Sequence, residues 1–448
     1  MESILQRCKE TRDAFKAKKM YYLLCTSGLE TQPIVGNYIV PMFSQNGCLL
    51  EATQAFQKLG LHHQNVYSWT SLICAHIQFE QIQHVFPIYE KMQEYGVHPC
   101  SHTFVALLKT CTILKDVKKG KLVHIESAQN GFRNDVFVNT ALIHMYFNFF
   151  SPSEAQQVFN DMIIHDVVSW NALITGYVEH GHNEDALLCF DQMQLRGDCS
   201  PNVVTYVCIL KACISLKATV KGREIHIEIV QKFLDNELLI GNTLIDMYCK
   251  SGSLLEAWET FDALLTRDVV SWNTLIGGLV ADSESCEEAF KCFNWMQLEG
   301  IIPDPLTFVC ILRACANLCD AAKGSKFHMQ IMQMKLKKDI FVRNTLVDMY
   351  VKCGLLFEAR AVFDNLEVKD VVLWSTLISG YVESGLGNEA LDCIEQMHKA
   401  NMQLNAYTFN CGLKACCITT GALAKGRELH DEIVRESYEK DAFVGCAL

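Results

Sequence analysis

The chain has 448 residues, of which half are hydrophobic, with 39 basic and 51 acidic side chains and a formal net charge of −12. That is enough apolar material for two or three ordinary cores, and the acidic balance argues against a protein that holds nucleic acid mainly by neutralising phosphates. No apolar run is long enough to span a bilayer, and the 22 cysteines are spread along the chain rather than crowded into a short secreted frame. A folded intracellular chain with reduced thiols and no membrane role is therefore expected. The start, MESILQRCKETRDAFKAKK, lacks the apolar segment of a signal peptide, and Glu2, Glu10 and Asp13 make it a poor organelle leader, which leaves open a lost natural N-terminus.

In chain order, apolar residues fall at helical spacing twice between successive boundaries at 32, 65, 100, 135, 166, 202, 237, 268, 304, 339, 370, 405 and 441, so each unit predicts two helices. Unit lengths cluster at 35, 35 and 31 residues. In the unit from Val167, Trp170, Leu173, Ile174 and Tyr177 share one face, and Gly181 breaks the pattern. Asn183 is expected to cap the second helix, with Ala186, Cys189, Phe190 and Met193 as its stripe and with Gly197 and Pro201 closing it. The stretch DVVSWNALITGY at Asp166 returns as DVVSWNTLIGGL at Asp268 and DVVLWSTLISGY at Asp370. His124, His226, His328 and His430 stand 102 residues apart, as do Gly120, Gly222, Gly324 and Gly426. No strand alternation competes. The reading is an all-α fold, an α-solenoid superhelix of stacked helix-turn-helix repeats occupying residues 1–448 as one solenoid.

Two columns of the repeat are chosen for something besides packing. The fifth residue of eight units reads Asn37, Thr70, Thr140, Asn171, Asn242, Asn273, Asn344 and Ser375, short polar side chains at sites flanked by apolar ones. The last residue of the same units reads Asn65, Cys100, Asp166, Asn202, Asp268, Asp304, Asp370 and Asn405. Helix capping accounts for Asn or Asp in the last column, and bonding to a neighbouring repeat is open to the fifth.

The order of unit lengths, with VVSWNALITGY, TYVCILKACISLKATVKGREIH and GNTLIDMYCKSGSLLEA as successive openings, resembles the pentatricopeptide repeat family of land plants, in particular its subclass with P, L and S units. The resemblance divides the chain into 1–32 (partial L), 33–65 (S), 66–100 (P), 101–135 (L), 136–166 (S), 167–202 (P) and 203–237 (L). It continues as 238–268 (S), 269–304 (P), 305–339 (L), 340–370 (S), 371–405 (P), 406–441 (L) and a truncated S at 442–448. It implies that the fifth and last columns face one RNA base per repeat. It also implies that second residues, among them Ile34, Val168, Val270 and Val372, hold the bases apart. A closing Asp only accepts hydrogen bonds and suits G or U, a closing Asn can donate and suits A or C, and a fifth Asn reaches a pyrimidine where Thr or Ser leaves room for a purine. With L units left blank, the strand implied is 5′-CRNGCNUUNUAN-3′. The L units place Val105, Val207 and Val309 in the fifth column and read as spacers, with Asn410 and Asp441 a candidate exception. Basic clusters at Lys118, Lys119 and Lys121, at Lys221 and Arg223, at Lys323 and Lys326, and at Lys425 and Arg427 either touch phosphates or are solvated helix-start charges.

His124 with Glu126, His226 with Glu228 and His430 with Glu432 spell H-x-E, half of a zinc deaminase signature. The other half, C-x-x-C, does not occur, and pairs such as Cys310 and Cys315 stand five apart and point in different directions on a helix. No metal, cofactor or catalytic residue is therefore expected in this chain. Many members of the resembling subclass continue into a deaminase-like domain that edits organelle RNA from C to U. This sequence stops at AFVGCAL, so it reads either as a piece of such a factor or as one that borrows a deaminase or accessory protein in trans. The expected partner is single-stranded RNA in a mitochondrion or chloroplast. The alternatives are an RNA stabilisation or splicing factor and a protein-binding scaffold of the tetratricopeptide kind.

Overall fold

The computed structural model describes residues 13–28, 32–60, 63–334, 336, 339–366 and 369–445, and its regular elements are all helical. They come in pairs. First helices such as Val167–Glu179, Val203–Leu216, Val269–Ala281 and Pro305–Asn317 have 13 or 14 residues. Second helices vary: Asn183–Arg196 and Ala321–Gln333 have 14 and 13 residues, whereas Pro152–Asp161 and Leu254–Ala263 have 10. The shortness of every third unit thus resides in its second helix. No described helix is long and apolar enough to cross a membrane.

The chain divides into two compact units, Met1–Leu216 and Lys217–Leu448. In the first, Val167–Glu179 packs against its own second helix and against the first helices on either side, Val136–Asn148 and Val203–Leu216. In the second, Val269–Ala281 does the same with Cys286–Leu298, Leu238–Lys250 and Pro305–Asn317. A first helix that is covered on three sides explains its near-continuous burial: Val203–Leu216 buries Tyr206, Ile209, Leu210, Ala212 and Cys213.

The period has packing causes. Trp69, Trp170, Trp272 and Trp374 each meet the edge of a phenylalanine from the preceding unit, Phe56, Phe159, Phe261 and Phe363, at ring-centroid distances of 4.6, 4.6, 4.7 and 4.5 Å. Gly120, Gly222 and Gly324 lie where the sulfurs of Met145, Met247 and Met349 press on the helix, so any Cβ would overlap them. Helix starts follow sequence chemistry as well. The side chains of Asn65, Asp166, Asn202, Asp268, Asp304, Asp370 and Asn405 each accept from the backbone N–H three residues on. Asn183 differs from expectation. It is the first helical residue rather than the cap, and its amide donates back to the Gly181 carbonyl at 3.3 Å.

Candidate functional site

The structure brings the fifth and last columns together, and it does so in two ways. At three of the four junctions where a P unit meets an L unit, the fifth residue is held on both sides, Ser375 being the exception. The Asn171 Nδ2 donates to Asn202 Oδ1 at 3.1 Å, and its Oδ1 accepts from the Thr205 hydroxyl at 2.6 Å. Asn273 repeats this with Asp304 at 2.9 Å and Thr307 at 2.6 Å. Thr70 is 2.7 Å from the Thr103 hydroxyl and 3.8 Å from Cys100 Sγ.

Hydrogen-bond logic fixes which way these amides face. The Thr205 and Thr307 hydroxyls accept the backbone N–H of Asn202 and Asp304, and the nearest acceptor for their single protons is the Asn171 or Asn273 oxygen at 2.6 Å, shorter than the 3.1 and 2.9 Å to their own caps. The Asp304 carboxylate only accepts, so the atom facing it must be the Asn273 nitrogen. Burial alone would raise the Asp304 carboxyl, but the Thr307 backbone amide and the Asn273 amide hold it below the usual range. Both of these bonds fall on Oδ1, and the Thr307 hydroxyl oxygen lies 2.9 Å from the same atom.

Where an S unit meets a P unit, the fifth residue is not clasped from the next unit. Ser169 and Ser271 fold back onto their own caps, to the Asp166 carbonyl at 2.9 Å and to Asp268 Oδ1 at 3.0 Å. Thr140 Oγ1 and Asn242 Oδ1 are buried without a hydrogen-bond partner among the described residues. Asn344 is intermediate, donating to Asp370 Oδ2 at 3.0 Å. Asn37 donates to the His63 carbonyl at 2.8 Å and accepts from the Asn65 N–H at 3.4 Å.

The eight fifth residues are therefore not equivalent. Asn37, Thr140, Asn171, Asn242 and Asn344 are half-buried, whereas Thr70, Asn273 and Ser375 are only 7%, 6% and 7% exposed. Ser375 turns its hydroxyl onto its own helix, to the Val371 carbonyl at 2.6 Å, and its partner column residue Asn405 serves as a cap. The Thr103, Thr205 and Thr307 clasp was missed at the sequence level. Its signal was there, as a threonine at the third residue of every L unit against a serine in most P units.

In the first compact unit these columns share open grooves. One, of about 880 Å³, is lined by Asn37, Asn65, Tyr67, Thr70, Cys100 and His102 among others. Another, of about 1220 Å³, brings together His102, Lys109, Phe137, Thr140, Asp166 and Val168, and a third of about 270 Å³ adds Asn171 beside Thr140 and Val168. Val168, Val270 and Val372 are exposed, and so are the other second residues Tyr67, Phe137, Val204, Leu239, Leu306, Phe341 and Tyr407. An apolar side chain left in solvent at the same position of so many helices is not a packing residue. The Ile34 side chain lies outside the described residues.

Other candidates are absorbed by packing. His124, His226 and His328 bond through Nδ1 to Tyr146, Tyr248 and Tyr350 at 2.8, 2.9 and 3.0 Å, and burial lowers all three imidazoles below the ordinary value. Glu126 accepts the Tyr89 hydroxyl at 2.6 Å. Among the described residues no group of His, Cys, Asp and Glu could hold a metal ion. Burial pushes the Cys310 and Cys315 thiols up to about 11 and 12. The L-unit basic clusters are tied down in part. Lys121, Arg223, Lys323 and Lys425 reach Glu154, Glu256, Glu287 and Glu395 of neighbouring units at 3.8, 2.6, 2.8 and 2.6 Å, and Lys119 sits over the Phe86 ring at 4.5 Å.

Helix pairs stacked side by side, with one polar column facing another along an uncovered strip, define an α-solenoid repeat protein. The PPR repeat family model matches residues 165–215, 267–317 and 369–418, the pentatricopeptide repeat domain model matches 54–112, and a further PPR repeat model matches 242–269 and 341–371. One chloroplastic pentatricopeptide repeat-containing protein of Arabidopsis thaliana is 31% identical over the whole chain, which covers 51% of that relative. Another from the same plant is 30% identical over 99% of this chain and 79% of its own length. Among solved structures, the pentatricopeptide repeat protein PPR10 in complex with an 18-nucleotide psaJ RNA element superposes with a TM-score of 0.71 at 18% identity, covering 94% of this chain and 62% of that one. The chain belongs to the pentatricopeptide repeat family. It spans about half the length of the first two relatives it matches.

Proposed function

We propose that the chain binds single-stranded RNA in a sequence-specific way, one base per P or S unit, and serves as the recognition part of an organelle RNA factor. The observation that carries this is the meeting of the two polar columns beside a row of exposed apolar side chains. A hydrogen-bonding pair faces each base edge, and a side chain from the second column fills the gap between bases, since helix layers lie roughly 8 to 10 Å apart, wider than stacked bases. Each closing Asp or Asn caps its helix through one side-chain oxygen, and its second polar atom remains for a base except at Asp370, whose Oδ2 already accepts the Asn344 amide. The solved neighbour PPR10 is described with a bound RNA element, and several relatives are named chloroplastic, which supports RNA as the ligand and an organelle as the place. The finer reading is a member of the P, L and S subclass acting in C-to-U editing, with a deaminase supplied elsewhere in a longer protein or in trans.

The preferred strand is 5′-CRNGCNUUNUAN-3′. The test is a gel-shift series on Asn242→Thr, expected to move preference from U toward G at that nucleotide alone, by about tenfold. If the variant keeps the wild-type preference, base reading by this column is wrong.

A further inference from the structure

We propose that the L units are phosphate clamps, and that the clamp is formed by a basic column on their first helices, Lys109, Lys211, Arg313 and Lys414, rather than by the basic clusters on their second helices. This rests on RNA binding as proposed above and assigns the L units a role that their apolar fifth residues do not reveal.

Four observations converge on it. The ninth residue of every complete L unit is basic, at 109, 211, 313 and 414, whereas P units place Cys74, Thr175, Gly277 and Ser379 there and S units Pro41, His144, Asp246 and Asp348. Asp246 and Asp348 are neutralised on their own helices by Lys250 and Lys352 at 2.8 and 2.9 Å. All four basic residues are exposed, and among the described residues none of them makes an ion pair. That sets them apart from Lys121, Arg223, Lys323 and Lys425, which spend their charge on glutamates of neighbouring units.

Their position points them at the strand. Each lies seven residues after a second-column residue, His102, Val204, Leu306 or Tyr407, and so on the same exposed stripe two turns along, about 10 Å away. Lys109 lines the groove that also holds Thr140, Asp166, Phe137 and Val168. A cation at that distance from the base-separating residue is set back from the base edges, where a sugar–phosphate backbone passes. A Lys or Arg on a phosphate fixes position and carries no sequence information. An L unit would then hold the strand without reading it.

The test compares two charge-matched variants of the whole chain. One carries Lys109→Gln, Lys211→Gln, Arg313→Gln and Lys414→Gln; the other carries Lys118→Gln, Lys119→Gln, Lys326→Gln and Arg427→Gln on the second helices. Binding is measured against the proposed strand and a scrambled one across a salt series. The first variant is expected to weaken both RNAs by the same factor, with the slope of log affinity against log salt shallower by about 0.7 for each phosphate left unneutralised, or about 3 in all. The second should stay near wild type, and Lys109→Arg, Lys211→Arg and Lys414→Arg together should retain both affinity and slope. If the two Gln variants weaken binding equally, or the first keeps the wild-type slope, the clamp is wrong while RNA binding stands. If the wild-type chain binds neither RNA, both readings fall.

Discussion

The junction from a P to an L unit and the junction from an S to a P unit carry the same polar columns and use them differently. At the first, Thr205 and Thr307 reach back across the repeat boundary and set the Asn171 and Asn273 amides in one orientation. At the second, Ser169 and Ser271 bond to their own caps, and among the described residues no hydrogen bond reaches the Asn242 oxygen or the Thr140 hydroxyl. The reach of the fifth side chain decides as much as the third residue does. Thr408 faces Ser375 instead of an asparagine, and it too bonds to its own cap, the Asn405 carbonyl, at 2.8 Å. One column thus supplies preset amides at Asn171 and Asn273 and an amide whose oxygen has no partner among the described residues at Asn242.

The sharpest break of that comparison is a pair of double-mutant cycles. Asn273→Ala with Thr307→Val is expected to show a coupling of about 1 to 2 kcal/mol in denaturant unfolding, because either change alone strands a buried polar partner. Asn242→Ala with Ser271→Ala should show about none. Equal coupling in the two cycles would mean that the junctions do not differ. A smaller effect is expected in recognition. Thr307→Val should relax discrimination at the Asn273 nucleotide by a few-fold (about 1 kcal/mol or less) and leave the other positions unchanged, since the amide keeps its Asp304 bond but loses the hydroxyl that holds its oxygen in place. A Thr307→Val chain that discriminates as sharply as wild type at that nucleotide would deny the clasp any part in reading.

The smallest effect concerns a third junction, from L to S, where His124, His226 and His328 meet tyrosines. Burial lowers these imidazoles, so between the lowered folded value and the ordinary one, about 6.5, the unfolded chain binds more protons. Their contribution to stability is full above that ordinary value and is lost as pH falls through the window. The melting temperature should drop on acidification from pH 7.5 to 5.5, and less so when all three are changed to Gln. An unchanged pH slope in the triple variant would show that other groups carry it.

Much of the site was legible because its residues break the apolar rule of the helix they sit on. The column from Asn37 to Ser375 and the caps from Asn65 to Asn405 were visible as misfits at a fixed period. What was not visible was their inequality. Nothing in the letters says that Asn273 is sunk to 6% exposure while Asn171 is half-buried, or that Ser375 turns away. The cations tell the same story: each cluster that stood out holds a cation paired to a glutamate, and the basic column of the first helices is made of single letters inside apolar helices.

Helical periodicity, the repeat spacing, and the identity of the capping and fifth-column residues were set by the sequence alone, because each depends on neighbours within one or two turns. Which hydroxyl reaches which amide, which cation finds a carboxylate, and which valine is left in water were decided only by stacking. Those outcomes hang on residues 22 to 37 positions apart being brought within hydrogen-bond distance, where a side-chain rotamer is enough to redirect a bond.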